Sequence, residues 1–199
     1  DIQKLCEEAI EYETASVCIP PCYIKRVHDT YGEKINICTV VGFPLGYSVT
    51  EAKAAETKKA LEDGASEVDM VVNISDVKNG NYDAVQAEIA ALKKITGDKI
   101  LKVIIETCYL TEEEKIAMCK AVTAAGADYI KTSTGFGTAG ATLEDIRLFR
   151  ENIGPDVKMK AAGGVKTVAD MEAFLEAGCD RIGTSSAIQL IQGEQTSGY

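Results

Sequence analysis

The chain has 199 residues, 46% of them apolar, enough for one globular domain with a sizeable core and too few for two of ordinary size, so a single domain over residues 1–199 is expected. Thirty-one acidic side chains against 21 basic ones give a formal charge of −10, which speaks against nucleic acid or an anionic membrane surface as a partner. The longest uncharged run, residues 35–50, contains Gly42, Pro44 and Gly46 and falls short of the ~20 apolar residues that span a bilayer. The acidic, amphipathic start at residues 1–13 lacks the basic end and apolar centre of a signal peptide, so a cytoplasmic location is expected.

Taken in chain order, a leading helix is expected at residues 2–12. Seven short β-branched runs follow, at residues 15–19, 35–41, 67–72, 100–106, 129–133, 157–161 and 181–184. Between them lie stretches of helical period at about 22–31, 48–62, 82–95, 111–125, 142–152 and 167–177, and a last short helix reaches Ile191. Three helix-to-strand joints share one pattern: ALEDGASEVDM (60–70), AVTAAGADYIK (121–131) and AFLEAGCDRIG (173–183). In each, a glycine stops the helix in the left-handed conformation and a strand follows within a few residues.

Such repeated βα units imply a parallel sheet, and the repeated joint points to an α/β fold of the (βα)8 TIM-barrel type with its first strand missing from the sequence in hand. An open doubly wound sheet is the alternative. It would carry a glycine-rich phosphate loop after its first strand, and neither GxGxxG nor a Walker loop follows the first strand here.

In a barrel the chemistry sits at the carboxyl ends of the strands. Lys131, Lys160, Asp69 and the pair Lys102 and Glu106 interrupt otherwise apolar strands, where burial is costly without partners. For Lys102 and Lys158, each near the start of a strand, a solvated end or a barrel-floor ion pair is an equally good account. Lys131 and Lys160 fall on successive strands. As cations they would repel and lower one another's pKa, which turns an amine into a nucleophile and points to imine chemistry. Asp69 would hold one of them or move protons.

The loops after the same strands suit an anion. Thr134–Gly137 follows Lys131, Gly163 and Gly164 follow Lys160, and Gly183 with Ser185 and Ser186 opens the last helix. Glycines let backbone amides approach a phosphate, and a helix start adds free N–H groups. Seven scattered cysteines with no CxxC pair, and one histidine, His28, do not form a metal-ligand pattern, so neither metal nor other cofactor is expected. The cysteines other than Cys18 read as small buried hydrophobes.

The strings KTSTGF (131–136), KMKAAGGV (158–165), LKVIIET (101–107), TVVGFPLG (39–46), GASEVDMVVN (64–73) and SVCIPPCY (16–23) closely resemble deoxyribose-phosphate aldolase, a class I aldolase family, and cover essentially the whole chain. The resemblance implies a metal-independent lyase. It would reversibly cleave 2-deoxy-D-ribose 5-phosphate to acetaldehyde and D-glyceraldehyde 3-phosphate through a lysine Schiff base. By the same resemblance Lys131 forms the imine, Lys160 lowers its pKa and shares in proton transfer, Asp69 relays protons and Lys102 supports Asp69. Gly135, Gly163, Gly164, Gly183, Ser185 and Ser186 would hold the phosphate, and Cys18 and Thr134 would line the substrate pocket. The resemblance further implies a homo-oligomer, dimer or tetramer. Members begin with a strand and an Asp-His-Thr type segment that this chain lacks, so an N-terminally shortened form is expected.

Three other readings stay open on the residues alone. A different Schiff-base aldolase would share the lysine chemistry. A phosphate-binding isomerase would need no imine, and a barrel kept as a scaffold would need neither.

Overall fold

The structure, a computed structural model, describes residues 1–193, so the end of the expected 1–199 domain span lies outside the described residues. Helix α1 (Ile2–Glu11) precedes a run of alternating strands and helices: β1 (Val17–Cys18), α2 (Ile24–Tyr31), β2 (Ile37–Val41), α3 (Thr50–Glu62), β3 (Glu67–Val71), α4 (Ile74–Lys78), α5 (Tyr82–Thr96) and β4 (Ile100–Ile104). There follow α6 (Glu112–Ala124), β5 (Tyr129–Lys131), α7 (Leu143–Asn152), β6 (Lys158–Ala162), α8 (Val168–Glu176), β7 (Arg181–Gly183) and α9 (Ala187–Ile191). All seven expected strands are present, each within its expected run or displaced by one residue. The short helix α4, capped by Asn73, was not anticipated, because five residues are too few to show a helical period.

The strands form one parallel sheet in sequential order from β1 to β7. Side chains alternate along each strand. One set, Val68, Met70, Leu101, Val103, Ile130, Met159 and Ala161, packs with Ile89, Leu92, Met118, Val122, Ile146 and Phe149 of the surrounding helices in a continuous apolar layer. A smaller cluster joins Cys6 and Ala9 of α1 to Val27 of α2 and to Val17 and Ile37 of the first two strands. The other set carries Glu67, Asp69, Lys102, Lys131, Lys160 and Arg181 together with apolar residues such as Val71 and Ile104, and it lies on the inner face.

A long-range ion pair shows that the sheet curls. In a flat sheet β3 and β7, four strands apart, would be separated by about 19 Å. Instead Arg181 Nη1 on β7 reaches Glu67 Oε2 on β3 at 2.6 Å, and Ser16, just before β1, donates to the same oxygen at 3.0 Å. Both edges of the sheet therefore converge on one carboxylate. This is barrel curvature, one strand short of eight among the described residues, and it settles the choice against the open doubly wound sheet.

The repeated joints behave as read from the sequence. Gly64, Gly126 and Gly178 have φ of 110°, 75° and 107°, and each stands between a helix end and a strand. Helices α6 and α8 start on capping boxes, Thr111 with Glu114 and Thr167 with Asp170, which satisfy N–H groups that a helix start leaves free.

Lys53 of α3, which the sequence does not mark, is fully buried. Its Nζ donates to Glu88 of α5 and to the Val71 carbonyl, both at 2.8 Å. A Cβ at Gly42 (φ 61°) would lie 2.7 Å from Lys53 Cε, so the glycine that opens the loop after β2 gives this lysine its room.

Candidate active site

Parallel register places the inward groups side by side. Asp69 on β3 is paired with Lys102 on β4, and Lys131 on β5 with Lys160 on β6. All four are buried. Lys131 Nζ lies 2.8 Å and Lys160 Nζ 3.0 Å from Asp69 Oδ2, while Lys102 Nζ lies 2.8 Å from Asp69 Oδ1. The four residues named from the sequence as reacting or supporting groups thus meet at one carboxylate, brought together from positions up to 91 residues apart.

Around them the structure adds three residues that sequence reasoning missed. Glu67, two positions before Asp69 on the same face, accepts from Lys102 at 2.6 Å and from Arg181 at 2.6 Å. Arg181 sits 5.2 Å from the centroid of the Tyr129 ring, and Lys102 and Lys158 also face that ring at 6.0 and 5.9 Å. Cys38 on β2 is fully buried, with Sγ 3.2 Å from Asp69 Oδ1 and 3.4 Å from Lys102 Nζ. Period two could have flagged Glu67 from Asp69. Nothing local flags Arg181, whose partner is 114 residues away. Cys38 is buried, as its apolar surroundings imply, but its sulfur faces the polar side. Cys22, read as a buried hydrophobe, is exposed, because it falls in the one-turn helix Pro21–Tyr23 at the surface.

In their usual charge states Lys102, Lys131, Lys160 and Arg181 pair with only Glu67 and Asp69 among the described residues, a local excess of positive charge inside an acidic chain. Burial opposes the ionised form of Asp69, but Lys131, Lys160 and Lys102 outweigh it and hold the carboxyl well below its ordinary range. Glu67 is likewise lowered, with burial outweighed by Lys102 and Arg181. For Lys131, burial pushes the ammonium down and Asp69 pushes it up, and the net direction is up. The net direction is therefore the opposite of the depressed amine expected from the sequence, because the attraction of Asp69 exceeds the combined effect of burial and of the neighbouring cation. In the sequence the two lysines are read as facing each other, whereas in the structure a carboxylate stands between them and offsets their repulsion.

The loops at the strand ends are tied to one another. Glu106, at φ 54° and ψ 67°, is buried; its Oε1 accepts from Thr134 N–H at 3.0 Å and its Oε2 accepts from Thr134 Oγ1. A Cβ at Gly163 (φ 73°) would lie 3.2 Å from Gly140 Cα and 3.8 Å from Gly135 Cα, so the two glycine loops after β5 and β6 touch. Gly164 is exposed beside them. A Cβ at Gly183 would come within 3.0 Å of Lys160 Cε, so this glycine makes room for the lysine. Ser185 is exposed, whereas Ser186 is buried and its backbone N–H is engaged by Thr184 Oγ1 at 3.1 Å. Cys18 is exposed on the edge strand β1, paired in register with Cys38, and the neighbouring Cys38 thiol lowers its pKa to about 7. Cys18, Cys38 and Asp69 are close enough together to ligate a metal ion, but three ammonium groups already crowd that carboxylate, which disfavours a cation there.

A curled parallel βα sheet whose inner face brings two lysines onto a shared carboxylate defines an amine-bearing barrel lyase. The comparisons with known proteins agree: the model of the DeoC/LacD family aldolases matches residues 1–187, and the chain belongs to that family. It is 73% identical over 199 residues to a deoxyribose-phosphate aldolase of Clostridium botulinum, spanning all of this chain and 90% of that protein. To the deoxyribose-phosphate aldolase of Clostridioides difficile it is 59% identical, again over all of this chain and 91% of the relative. Among solved structures, the tetrameric deoxyribose phosphate aldolase from Aeropyrum pernix superposes with a TM-score of 0.90 at 30% identity, covering 97% of this chain and 82% of that one.

Proposed function

We propose that the chain catalyses the reversible aldol cleavage of 2-deoxy-D-ribose 5-phosphate to acetaldehyde and D-glyceraldehyde 3-phosphate through a Schiff base on Lys131. The observation that carries this is the shared contact of Lys131 and Lys160 with Asp69 Oδ2, an amine and two proton carriers on one oxygen. The curated relatives bearing this activity in their names span the whole chain, which supports the substrate.

The steps follow from the geometry. Lys131 must first lose a proton, and Asp69 Oδ2 at 2.8 Å is its nearest base. The neutral amine adds to C1 of the open-chain sugar, and loss of water leaves an iminium that withdraws electrons from C2. Acetaldehyde takes C1 and C2, so the bond that breaks is C2–C3. The relay of Asp69 and Lys160 removes the proton of the C3 hydroxyl as C3 becomes the aldehyde of glyceraldehyde 3-phosphate. The enamine left on Lys131 is then protonated at C2 through the same relay, and water releases acetaldehyde. Lys102 holds Asp69 in place throughout.

The surplus positive charge of the inner face favours an anionic substrate. Gly135, Gly163 and Gly164, with Gly183, Ser185 and Ser186 beyond them, border the space assigned to the phosphate, and Thr134 and Cys18 border the sugar. Gly183 contributes mainly by clearing Lys160, and the engaged amide of Ser186 must exchange partners to reach a phosphate. The chemistry as written needs no metal or other cofactor. A homo-oligomer is in keeping with the tetramer named for the Aeropyrum pernix structure, and no helix among the described residues is long and apolar enough to cross a membrane, in keeping with a cytoplasmic enzyme.

The test is turnover of 2-deoxyribose 5-phosphate with acetaldehyde measured by coupled reduction. Steady acetaldehyde release that disappears in Lys131→Arg is the expected result. No release by the folded wild-type protein, or appreciable release by the variant, would overturn the proposal.

A further inference from the structure

The two oxygens of Asp69 are used differently. Oδ2 faces Lys131 and Lys160, the lysines assigned to the chemistry. Oδ1 faces away from them and accepts from Lys102 Nζ at 2.8 Å and from the thiol of Cys38 at 3.2 Å. Lys102 has three protons, and each has a partner: Glu67 Oε2 at 2.6 Å, Asp69 Oδ1 at 2.8 Å and Cys38 Sγ at 3.4 Å. An ionised carboxylate offers about four lone-pair positions, so the Asp69 carboxylate is filled by these four donors.

Cys38 is the member of this set that neither the sequence nor the proposed steps employ. It is fully buried on β2, in register with Glu67 of β3, so its side chain is held by the sheet on the face that carries the charges. Its sulfur can accept from an ammonium and donate to a carboxylate at the same time, which alanine cannot do. The carboxylate torsion of an aspartate is soft, so a single anchor on Oδ1 would let the plane of the carboxylate swing and turn Oδ2 away from Lys131 and Lys160.

We infer that Cys38 is a positioning residue of the reaction: its thiol, bridging Lys102 and Asp69, fixes the plane of the carboxylate so that the oxygen opposite stays aimed at Lys131, Lys160 and the substrate. The inference rests on the imine assignment for Lys131. The neighbouring strands supply the other charged or titratable groups around this carboxylate: Cys18 from β1, Lys102 from β4, Lys131 from β5 and Lys160 from β6, with Glu67 on the strand of Asp69 itself. Removing the thiol leaves one N–H of Lys102 and one lone pair of Asp69 without their present partner at a buried position. Formation of the imine, which needs Lys131 and the sugar aldehyde, should proceed. Deprotonation of the C3 hydroxyl and protonation of the enamine should slow.

The experiment compares wild type, Cys38→Ala, Cys38→Ser and Cys119→Ala, the last a buried thiol of the apolar layer away from the site. Four quantities are measured: kcat and KM for 2-deoxyribose 5-phosphate, borohydride trapping of the sugar, and the rate at which the methyl protons of acetaldehyde exchange with deuterated solvent. In Cys38→Ala, kcat and the exchange rate are expected to fall about tenfold, in line with the loss of a hydrogen bond to a charged group, while KM and trapping stay within about twofold of wild type. Cys38→Ser, which keeps a donor and acceptor, should recover to within about threefold, and Cys119→Ala should match wild type in kcat. Unchanged kcat and exchange in Cys38→Ala would overturn the inference, as would equal losses in the alanine and serine variants. Failure of the wild-type protein itself to trap would instead overturn the imine assignment, so the two ideas fail separately.

Discussion

Lys131 and Lys160 are adjacent in register, but their behaviour is set by the carboxylate between them. Asp69 Oδ2 accepts from both, so each ammonium receives only part of its attraction. Replacing Lys160 with methionine removes a cation of similar volume and leaves Asp69 Oδ2 wholly to Lys131. The ammonium of Lys131, already held above its ordinary range by Asp69, would be held higher still, and the neutral amine would form only at higher pH. We predict that in Lys160→Met the acidic limb of the kcat/KM profile moves to higher pH and that kcat falls by about 10² or more, since a proton carrier is lost. A limb that stays in place or moves to lower pH would show that Lys160 does not share this carboxylate with Lys131.

Between the elements, the latch of Glu106 on Thr134 ties the end of β4 to the loop after β5. Glu106 is a non-glycine residue in the left-handed region, a conformation that costs of order 1–3 kcal/mol and persists only where its surroundings enforce it. Here the enforcement is a buried carboxylate that takes both the N–H and the hydroxyl of Thr134. The latch also sets the shape of the loop. Thr134 Oγ1 accepts from Phe136 N–H at 3.0 Å, and Gly137 has no room for a side chain beside Cys108 and Glu106. Glu106→Ala frees a loop that borders the assigned phosphate space. We predict about a tenfold rise in KM for 2-deoxyribose 5-phosphate, with a much smaller change for unphosphorylated 2-deoxyribose. Steady-state kinetics on the two sugars checks this, and equal changes for both would place the role of the latch elsewhere.

For the molecule as a whole, much of the fold is legible in the sequence because it is local. The glycine at each joint, the β-branched runs and the helical periods are properties of ten or fifteen adjacent residues, and the structure keeps them nearly residue for residue. Lys131, Lys160, Asp69 and Lys102 are legible too, since a charge inside an apolar strand is conspicuous. Glu67, Arg181, Cys38 and Lys53 are less so. Arg181 occupies a strand start, where charge is ordinary, Cys38 has the look of a packing residue, and Lys53 lies in a helix rich in lysine. Their roles exist only once the sheet curls and brings β3 to β7, or α3 to α5. The direction of the Lys131 shift is illegible for the same reason, because it depends on which side of Asp69 each lysine reaches.

The same convergence makes stability depend on pH. Glu67 and Asp69 have folded-state pKa values below their ordinary ones, so their contribution is present above about pH 4, the unfolded carboxyl range, and is lost as pH falls through the lower folded values. Lys102 is raised, so its contribution is present below about pH 10, the unfolded lysine range, and is lost as pH rises through the folded value. Urea midpoints should therefore fall below about pH 4. In Glu67→Gln the molecule should be less stable at neutral pH and its acid dependence shallower. A wild-type midpoint that does not change on acidification would show that the inner charges are not paired as described.

The central claim is that Lys131 is the amine that bonds to the substrate, and the direct measurement is covalent trapping. Protein incubated with 2-deoxyribose 5-phosphate and borohydride, then digested and mapped by mass spectrometry, should carry its adduct on the peptide containing Lys131, with Lys102 and Lys160 unmodified. An adduct on Lys160 or Lys102 in its place, or turnover by a folded protein that traps nothing, would contradict the account.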